Sequence, residues 1–470
     1  MNFLKEKCGV VGVSLKNRGT DQAALITYYA LYALQHRGQE STGIATYDDK
    51  IYIDRGMGLV SDVFNKVRLK ELRGNMGIGH VRYSTEGASK IENSQPLLIG
   101  YKNGAIAIAH NGHLVNYREL RAELEAEGRI FITDSDTEVI AHLLVKELLV
   151  SDFVEAIRRL MQRIIGSYSL TLLFDGMVVA VRDPLGIKPL CIGKMDDGYI
   201  IASESAAIDT VGGTLLRDVC PGELVILKDG QIESRRICRS QNTAHCFFEF
   251  TYFARPDSIV DGLLVYDVRR RIGEILVEEH DVNADLVCPV PDSGVTFAIG
   301  YSIRSGIGYI EGLMKNRYIG RTFIMPAQEM RDIAVRLKLN AIRANVEGKR
   351  VALIDDSIVR GTTSKRIVDI IRSAGAKEIH MRIGCPPVIS PCYFGIDMAT
   401  RAELIAAHKS VDGIALMMGV DSLGYVSIDG LVKSIGISKE NLCLGCITGR
   451  YPIEIPGEEC IRKQLRLAQF

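Results

Sequence analysis

The run from Val351 to Ser364, VALIDDSIVRGTTS, constrains the fold more than any other part of this chain. Val351 to Ile354 reads as a buried strand, with Asp355 and Asp356 at its end and a short loop from Ser357 to Thr363. Ile367, Val368, Ile370, Ile371 and Ala374 then recur at helical spacing, and Gly375 supplies a stop. Glu378 to Ile383 reads as the next strand, which completes a βαβ unit. The turn between strand and helix can hold a phosphate. A helix N-terminus carries free backbone N–H groups and partial positive charge. Gly361 lets the backbone approach an anion, and Thr362, Thr363 and Ser364 add hydroxyls. Adjacent carboxylates suit a ribose diol or a divalent cation rather than the phosphate itself. The bland alternative is an ordinary α/β turn with solvated acids, and the agreement of strand, acids, loop and helix weighs against it.

At 470 residues the chain should hold two or more domains, each with its own core. Its formal net charge is zero, so nothing points to nucleic acid or an anionic membrane as a partner. No apolar run approaches the roughly 20 residues of a membrane helix. Met1 to Lys7 lack the apolar centre of a secretory signal, which with the cysteine usage leads to a cytoplasmic expectation. Eleven cysteines is an odd count and makes a disulfide scaffold a poor reading.

The Val351–Ser364 segment resembles the loop by which type I phosphoribosyltransferases bind 5-phosphoribosyl-1-pyrophosphate (PRPP). The resemblance implies that Asp355 and Asp356 face the ribose hydroxyls with magnesium nearby, and that Ser357, Arg360, Gly361, Thr362 and Thr363 hold the 5-phosphate. It also implies a second turn, the Pro-Asp-Ser-Gly run ending at Gly294, beside the pyrophosphate, with Ser293 touching magnesium. Two cation-rich stretches, Lys315 to Phe323 and Arg331 to Arg343, read either as solvated faces or as a loop that closes over PRPP.

The first half carries four further segments: LQHRGQESTG ending at Gly43, GHVRYSTEG ending at Gly87, AHNGHLVN ending at Asn116, and TDSDTE ending at Glu138. With Cys8 leading into an apolar strand, they resemble the class II glutamine amidotransferases of the N-terminal-nucleophile fold. The resemblance implies Cys8 as nucleophile, the Asn111 amide and the Gly112 N–H as oxyanion hole, and Arg82 and Asp136 as partners of the glutamine carboxylate and ammonium. His80, His110 and His113 read as structural. If Cys8 becomes the first residue, its own α-amine can act as base, since that group titrates near 8. Residues 1–7 are then a propeptide, residues 8–235 the glutaminase domain and residues 236–470 the phosphoribosyltransferase domain.

Cys443 and Cys446 form a C-x-x-C pair that alone fits zinc, redox chemistry or chance. Taken whole, from Cys8 to about Glu454, the chain resembles the glutamine-dependent PRPP amidotransferases, and in particular their iron–sulfur subgroup. That resemblance implies one [4Fe–4S] cluster on Cys246, Cys392, Cys443 and Cys446, with a structural role. Cys191, Cys220, Cys238, Cys288, Cys385 and Cys460 are expected to be buried thiols. The aromatic run Phe247 to Phe253 reads equally as a core strand or as the wall of a passage for ammonia. The fold class expected is an αββα N-terminal-nucleophile domain followed by an α/β domain. Glutamine and PRPP are the expected substrates, purine nucleotides the inhibitors, and the assembly a homodimer or homotetramer.

Overall fold

Strand Gly9–Leu15 is buried at all seven positions, which only a strand covered on both faces can be. Val11 and Val13 face a helix, Ala23–Ala33, while Val10 faces a second sheet. The structure, a computed structural model, describes residues 8–17, 21–83, 89–316, 339–396, 398 and 400–456. Gly9–Leu15 lies within a seven-stranded antiparallel sheet, between Gly198–Ala202 and Met76–Arg82. The facing six-stranded antiparallel sheet runs from Gln231–Arg236 through Gly166–Phe174 and Gly104–Leu114 to Leu97–Tyr101. Small residues meet where the sheets face each other, among them Ala45, Ala107, Ala109 and Ala180. Ile106 and Ile108 alternate with those alanines and turn to the outer helices Asp136–Leu148 and Phe153–Arg163. Helix, sheet, sheet and helix form four layers.

The second half holds a parallel sheet in the order Leu286–Pro289, Arg350–Asp355, Glu378–Ile383, Ser422–Tyr425. Val351 and Leu353 pack with Ile367, Ile371 and Ile414 on one face, while Ala352 and Ile354 pack with Phe297 and Tyr301 on the other. The strand thus delivers Asp355 to its C-terminal edge, where open α/β sheets bind ligands. A short parallel bridge joins His245–Cys246 to Leu442–Cys443 and ties the C-terminal segment back to the start of this half.

The halves are fastened by buried ions. The Arg37 guanidinium, 1% exposed, donates to Glu204 Oε1 at 2.5 Å and to both Glu249 oxygens at 2.9 and 3.0 Å. Arg182, equally buried, grips Asp261 through two bonds of 2.8 and 3.1 Å. Removing one partner from such a pair leaves a buried charge uncompensated, at a cost of about 3–5 kcal/mol. Arg37→Met is therefore expected to lower unfolding stability by about that amount in chemical denaturation, and an unchanged midpoint would count against the pair as a fastening.

Two expectations are corrected and one open alternative is removed. Of the two readings of Phe247 to Phe253 the strand is excluded: Glu249–Phe253 is a π-helical turn. Phe247, Phe248, Glu249, Phe250 and Thr251 are all buried, so no polar face marks the period of the segment. Cys220 is exposed and Cys238 half-buried, because both lie in connections flanking the hairpin of Glu223–Lys228 and Gln231–Arg236 at the sheet rim. Cys191, Cys288 and Cys385 are buried. Met1 to Lys7, Cys460 and residues 317–338 of the two cation-rich stretches lie outside the described residues.

Candidate functional site

Cys8 precedes Gly9, which pairs with Val81, so the thiol sits beside the end of strand Met76–Arg82. Its Sγ lies 3.7 Å from the Tyr83 carbonyl, and its own carbonyl accepts from Arg37 Nε at 3.2 Å. Burial pushes the Cys8 thiol up in pKa, against the pull of the Tyr83 bond, Arg82 and Lys188. A thiol held protonated needs a base before it can attack.

Asp136 opens its helix behind Ser135, whose side chain caps the first turn through Thr137 N. Asp136 Oδ2 accepts from Leu114 N at 3.0 Å, which ties the carboxylate to the strand bearing Asn111 and Gly112. Nδ1 of His110 lies 3.5 Å from this carboxylate and Nδ1 of His113 lies 3.4 Å from it. Burial alone would raise the pKa of Asp136, but these histidines outweigh it and hold the group well below the usual carboxylate range. His80 is wholly buried, which lowers its pKa to about 3, and its Nε2 sits 3.1 Å from the His110 carbonyl. The three histidines thus support Asp136 and the strand behind it. Arg82 is buried, with Glu40 3.9 Å away.

Asn111 is fully buried, and among the described residues neither its Nδ2 nor its Oδ1 has a hydrogen-bond partner. An amide held this way keeps its donor available to a bound molecule. Gly112 has no room for a side chain: a Cβ would lie 1.9 Å from the Ser167 carbonyl oxygen.

At the sheet edge of the second half, Ser293 Oγ donates to Asp355 Oδ1 at 3.1 Å, and the same oxygen accepts from Asp356 N at 2.9 Å. Ser357 Oγ donates to Asp356 Oδ1 at 3.1 Å, while the buried Asp356 Oδ2 has no hydrogen-bond partner among the described residues. Burial and then repulsion from Asp356 push Asp355 well above its ordinary pKa. Burial also raises Asp356, to about 6, with Arg269 pulling the other way. Two confined carboxylates with an unsatisfied oxygen and a neighbouring hydroxyl are the hard donors a magnesium ion takes. Gly361, at φ +77, turns the chain into helix Thr362–Ser373, whose first-turn residues Thr362 and Thr363 reach the surface. Arg360 lies by the loop but spends one contact, 3.3 Å, on Glu403.

Cys246, Cys392, Cys443 and Cys446 line one small cavity together with Ile187, Lys188, Phe394, Ile396 and Tyr451. Cys246 and Cys443 stand opposite each other in the parallel bridge, and Phe394 N donates to Cys392 Sγ at 3.3 Å. Burial, then the neighbouring thiols Cys392, Cys385, Cys443 and Cys246, push Cys446 well above its ordinary pKa. Thiols confined this way favour cationic company. Among the described residues no group of three or more His, Cys, Asp or Glu side chains is drawn together as a single metal ion requires.

Residues 80–210 match a family described as "Glutamine amidotransferase domain". An amidophosphoribosyltransferase of Archaeoglobus fulgidus is 56% identical over 456 residues, 96% of this chain and 99% of that protein. One of Methanothermobacter thermautotrophicus is also 56% identical, over 97% of this chain and 96% of that protein. This chain belongs to the amidophosphoribosyltransferase family. The solved structure of glutamine PRPP amidotransferase from Bacillus subtilis, complexed with ADP and GMP, matches it with a TM-score of 0.90 at 46% identity, covering 96% of this chain and 98% of that one. As an amidophosphoribosyltransferase it is an enzyme that converts PRPP to phosphoribosylamine with nitrogen from glutamine, in purine biosynthesis.

Several residues of this amidophosphoribosyltransferase escaped the sequence reading. Arg37 lies inside the quoted LQHRGQESTG segment, yet its acidic partners are 167 and 212 positions away. Glu249 was the one available clue, a carboxylate inside an aromatic run. Arg269 donates to the Phe250 and Ala254 carbonyls at 2.8 and 2.7 Å and faces Asp356 electrostatically. Burial lowers its pKa to about 10, which leaves it charged at neutral pH. Lys188, wholly buried, lines the cysteine cavity and also acts on Cys8.

Proposed function

We propose that glutamine is split at Cys8 and that the ammonia reacts at the acid pair of the same chain. The observation that carries this is the segment between the two sites. Glu249 holds Arg37, which holds the Cys8 carbonyl, and the next residue, Phe250, gives its carbonyl to Arg269, which faces Asp356. One packed aromatic stretch therefore touches both centres, and its buried Phe247, Phe248 and Phe250 can wall a dry path for neutral ammonia.

At the first centre the Cys8 sulfur attacks the glutamine carboxamide, the Asn111 amide and Gly112 N–H hold the oxyanion, and Arg82 and Asp136 hold the substrate's carboxylate and ammonium. The thiol proton goes to the α-amine of Cys8 and then to the leaving ammonia, and water hydrolyses the thioester to glutamate. The amine exists only once residues 1–7 are removed. Protein that still carries Met1 is expected to show no glutaminase activity, and mass spectrometry of an active sample decides the point. Asn111→Ala is expected to lower kcat for glutamine by roughly 10²–10³-fold, the loss typical of one oxyanion donor. A rise in KM alone would instead assign the amide to ground-state binding.

At the second centre Ser357, Arg360, Gly361, Thr362 and Thr363 take the 5-phosphate, and Asp355 and Asp356 hold the ribose diol close to the positive charge that develops at C1. Ser293, Asp355 and Asp356 would hold magnesium, which supplies charge neutralisation for the departing pyrophosphate. Cys246, Cys392, Cys443 and Cys446 would hold a [4Fe–4S] cluster, which supplies four structural links between distant segments. Sulfurs arranged around a cavity rather than a point support a cluster over zinc, whose bonds of about 2.3 Å draw four thiolates close together. The ADP and GMP in the Bacillus subtilis complex support purine nucleotides as inhibitors. Among the described residues no helix is long and apolar enough to cross a membrane; we place the enzyme in the cytoplasm, as a homodimer or homotetramer.

A further inference from the structure

The wall of the cysteine cavity reaches the oxyanion strand directly. Cys392 Sγ accepts from Phe394 N at 3.3 Å, and the Phe394 carbonyl accepts from Ser167 Oγ at 2.9 Å. The same Ser167 oxygen accepts from His113 N at 3.3 Å, one residue past Gly112. Gly395, at φ +86, then lies flat on Gly112, where an added Cβ would come within 2.8 Å of the Gly112 oxygen and 2.9 Å of its carbonyl carbon. Ser167 also stands beside Gly112 in the neighbouring strand, where its carbonyl oxygen leaves no space for a Cβ. Gly112 thus touches two backbones, one from each half of the chain.

We infer that Phe394, Gly395 and Ser167 are positioning residues for the oxyanion hole, and that the loop bearing Cys392 belongs functionally to the glutaminase centre. The inference rests on the reading of Cys8 and Gly112 given above. The physical reason is the steep dependence of oxyanion stabilisation on donor placement. A donor helps only at the position the developing oxygen will occupy, and misplacement by about 1 Å can cost roughly 10²-fold in rate. A strand end does not fix its own backbone to that tolerance, whereas one held by close contacts from a neighbouring strand and from a second segment is fixed. Gly395 serves because only glycine combines the left-handed conformation with contact of backbone on backbone.

The test compares Gly395→Ala and Ser167→Ala with the wild-type chain, using glutamine and then ammonium chloride as nitrogen source. Ser167→Ala removes only a hydroxyl, so it stays informative if Gly395→Ala folds poorly. Alkylation of Cys8 by iodoacetamide is followed alongside, because it reports the nucleophile without using the oxyanion hole. The expected result for both variants is a kcat for glutamine lowered roughly 10–100-fold, a KM within a few-fold of wild type, unchanged turnover with ammonia and unchanged alkylation. Wild-type kcat for glutamine in Ser167→Ala, or an equal loss with both nitrogen sources, overturns the inference. Failure of the underlying reading shows elsewhere, as glutamine turnover that survives Cys8→Ala.

Discussion

A Cys8→Ala enzyme is expected to make phosphoribosylamine from ammonia and none from glutamine, with glutamine-dependent turnover down by roughly 10³-fold or more. The size follows from what the site lacks without the sulfur. The oxyanion strand, Arg82 and Asp136 would still bind glutamine on this reading, but the sulfur that attacks its carboxamide would be gone. His80 cannot substitute as a base, because it is buried and bonded to the His110 carbonyl, and His110 and His113 are turned toward Asp136. Ammonia-driven turnover should persist because the acid pair sits on a different sheet. Loss of turnover with both nitrogen sources would mean that Cys8 supports the fold and not the reaction.

The second large effect is expected at the acid pair. Asp355→Asn with Asp356→Asn should abolish turnover with either nitrogen source, leaving glutaminase chemistry possible. Removing one electrostatic contributor at a charged transition state costs roughly 10²–10³-fold, and the pair acts as a unit. The raised pKa values add a pH signature. Burial makes both carboxyls hold protons more tightly folded than unfolded, so the metal-free protein loses stability as pH rises from the ordinary carboxylate range, near 4, through the value of about 6 for Asp356. Magnesium held by the ionised pair, as proposed, would offset that loss. Its stabilising shift in melting temperature should therefore be present at pH 7.5 and fade as pH falls through about 6. A shift equal at pH 5 and pH 7.5 would place magnesium elsewhere.

What the amino-acid order disclosed, and what it withheld, divides along sequence distance. The candidate phosphate loop is contiguous: strand, acids, glycine and helix start follow within fourteen residues, so local pattern states the geometry. The candidate glutamine site is scattered from Cys8 to Asp136, and could be proposed only because each short segment is itself distinctive. The fastening between the halves was not legible. Arg37 and Glu249 are 212 residues apart, and nothing local marks either as the other's partner. The run around Glu249 stayed open between two readings for a related reason. An apolar stretch buried on all sides has no periodicity, so strand and helix look alike until Arg37 and Arg269 show which turn satisfies them. Cys220 and Cys238 misled by residue type, since burial is the usual fate of cysteine and a rim connection is the exception. Gly395 gave no signal at all, because its role depends on a backbone 283 positions earlier.

The central claim, that one chain makes ammonia at Cys8 and uses it at the acid pair without release, is tested most directly by isotope. The processed enzyme would be given glutamine labelled with nitrogen-15 in the amide, PRPP and excess unlabelled ammonium, and the phosphoribosylamine trapped as it forms. Product that carries the label in nearly every molecule is the result expected here. Product whose nitrogen matches the bulk ammonium would contradict the account, showing two independent sites that share only a polypeptide.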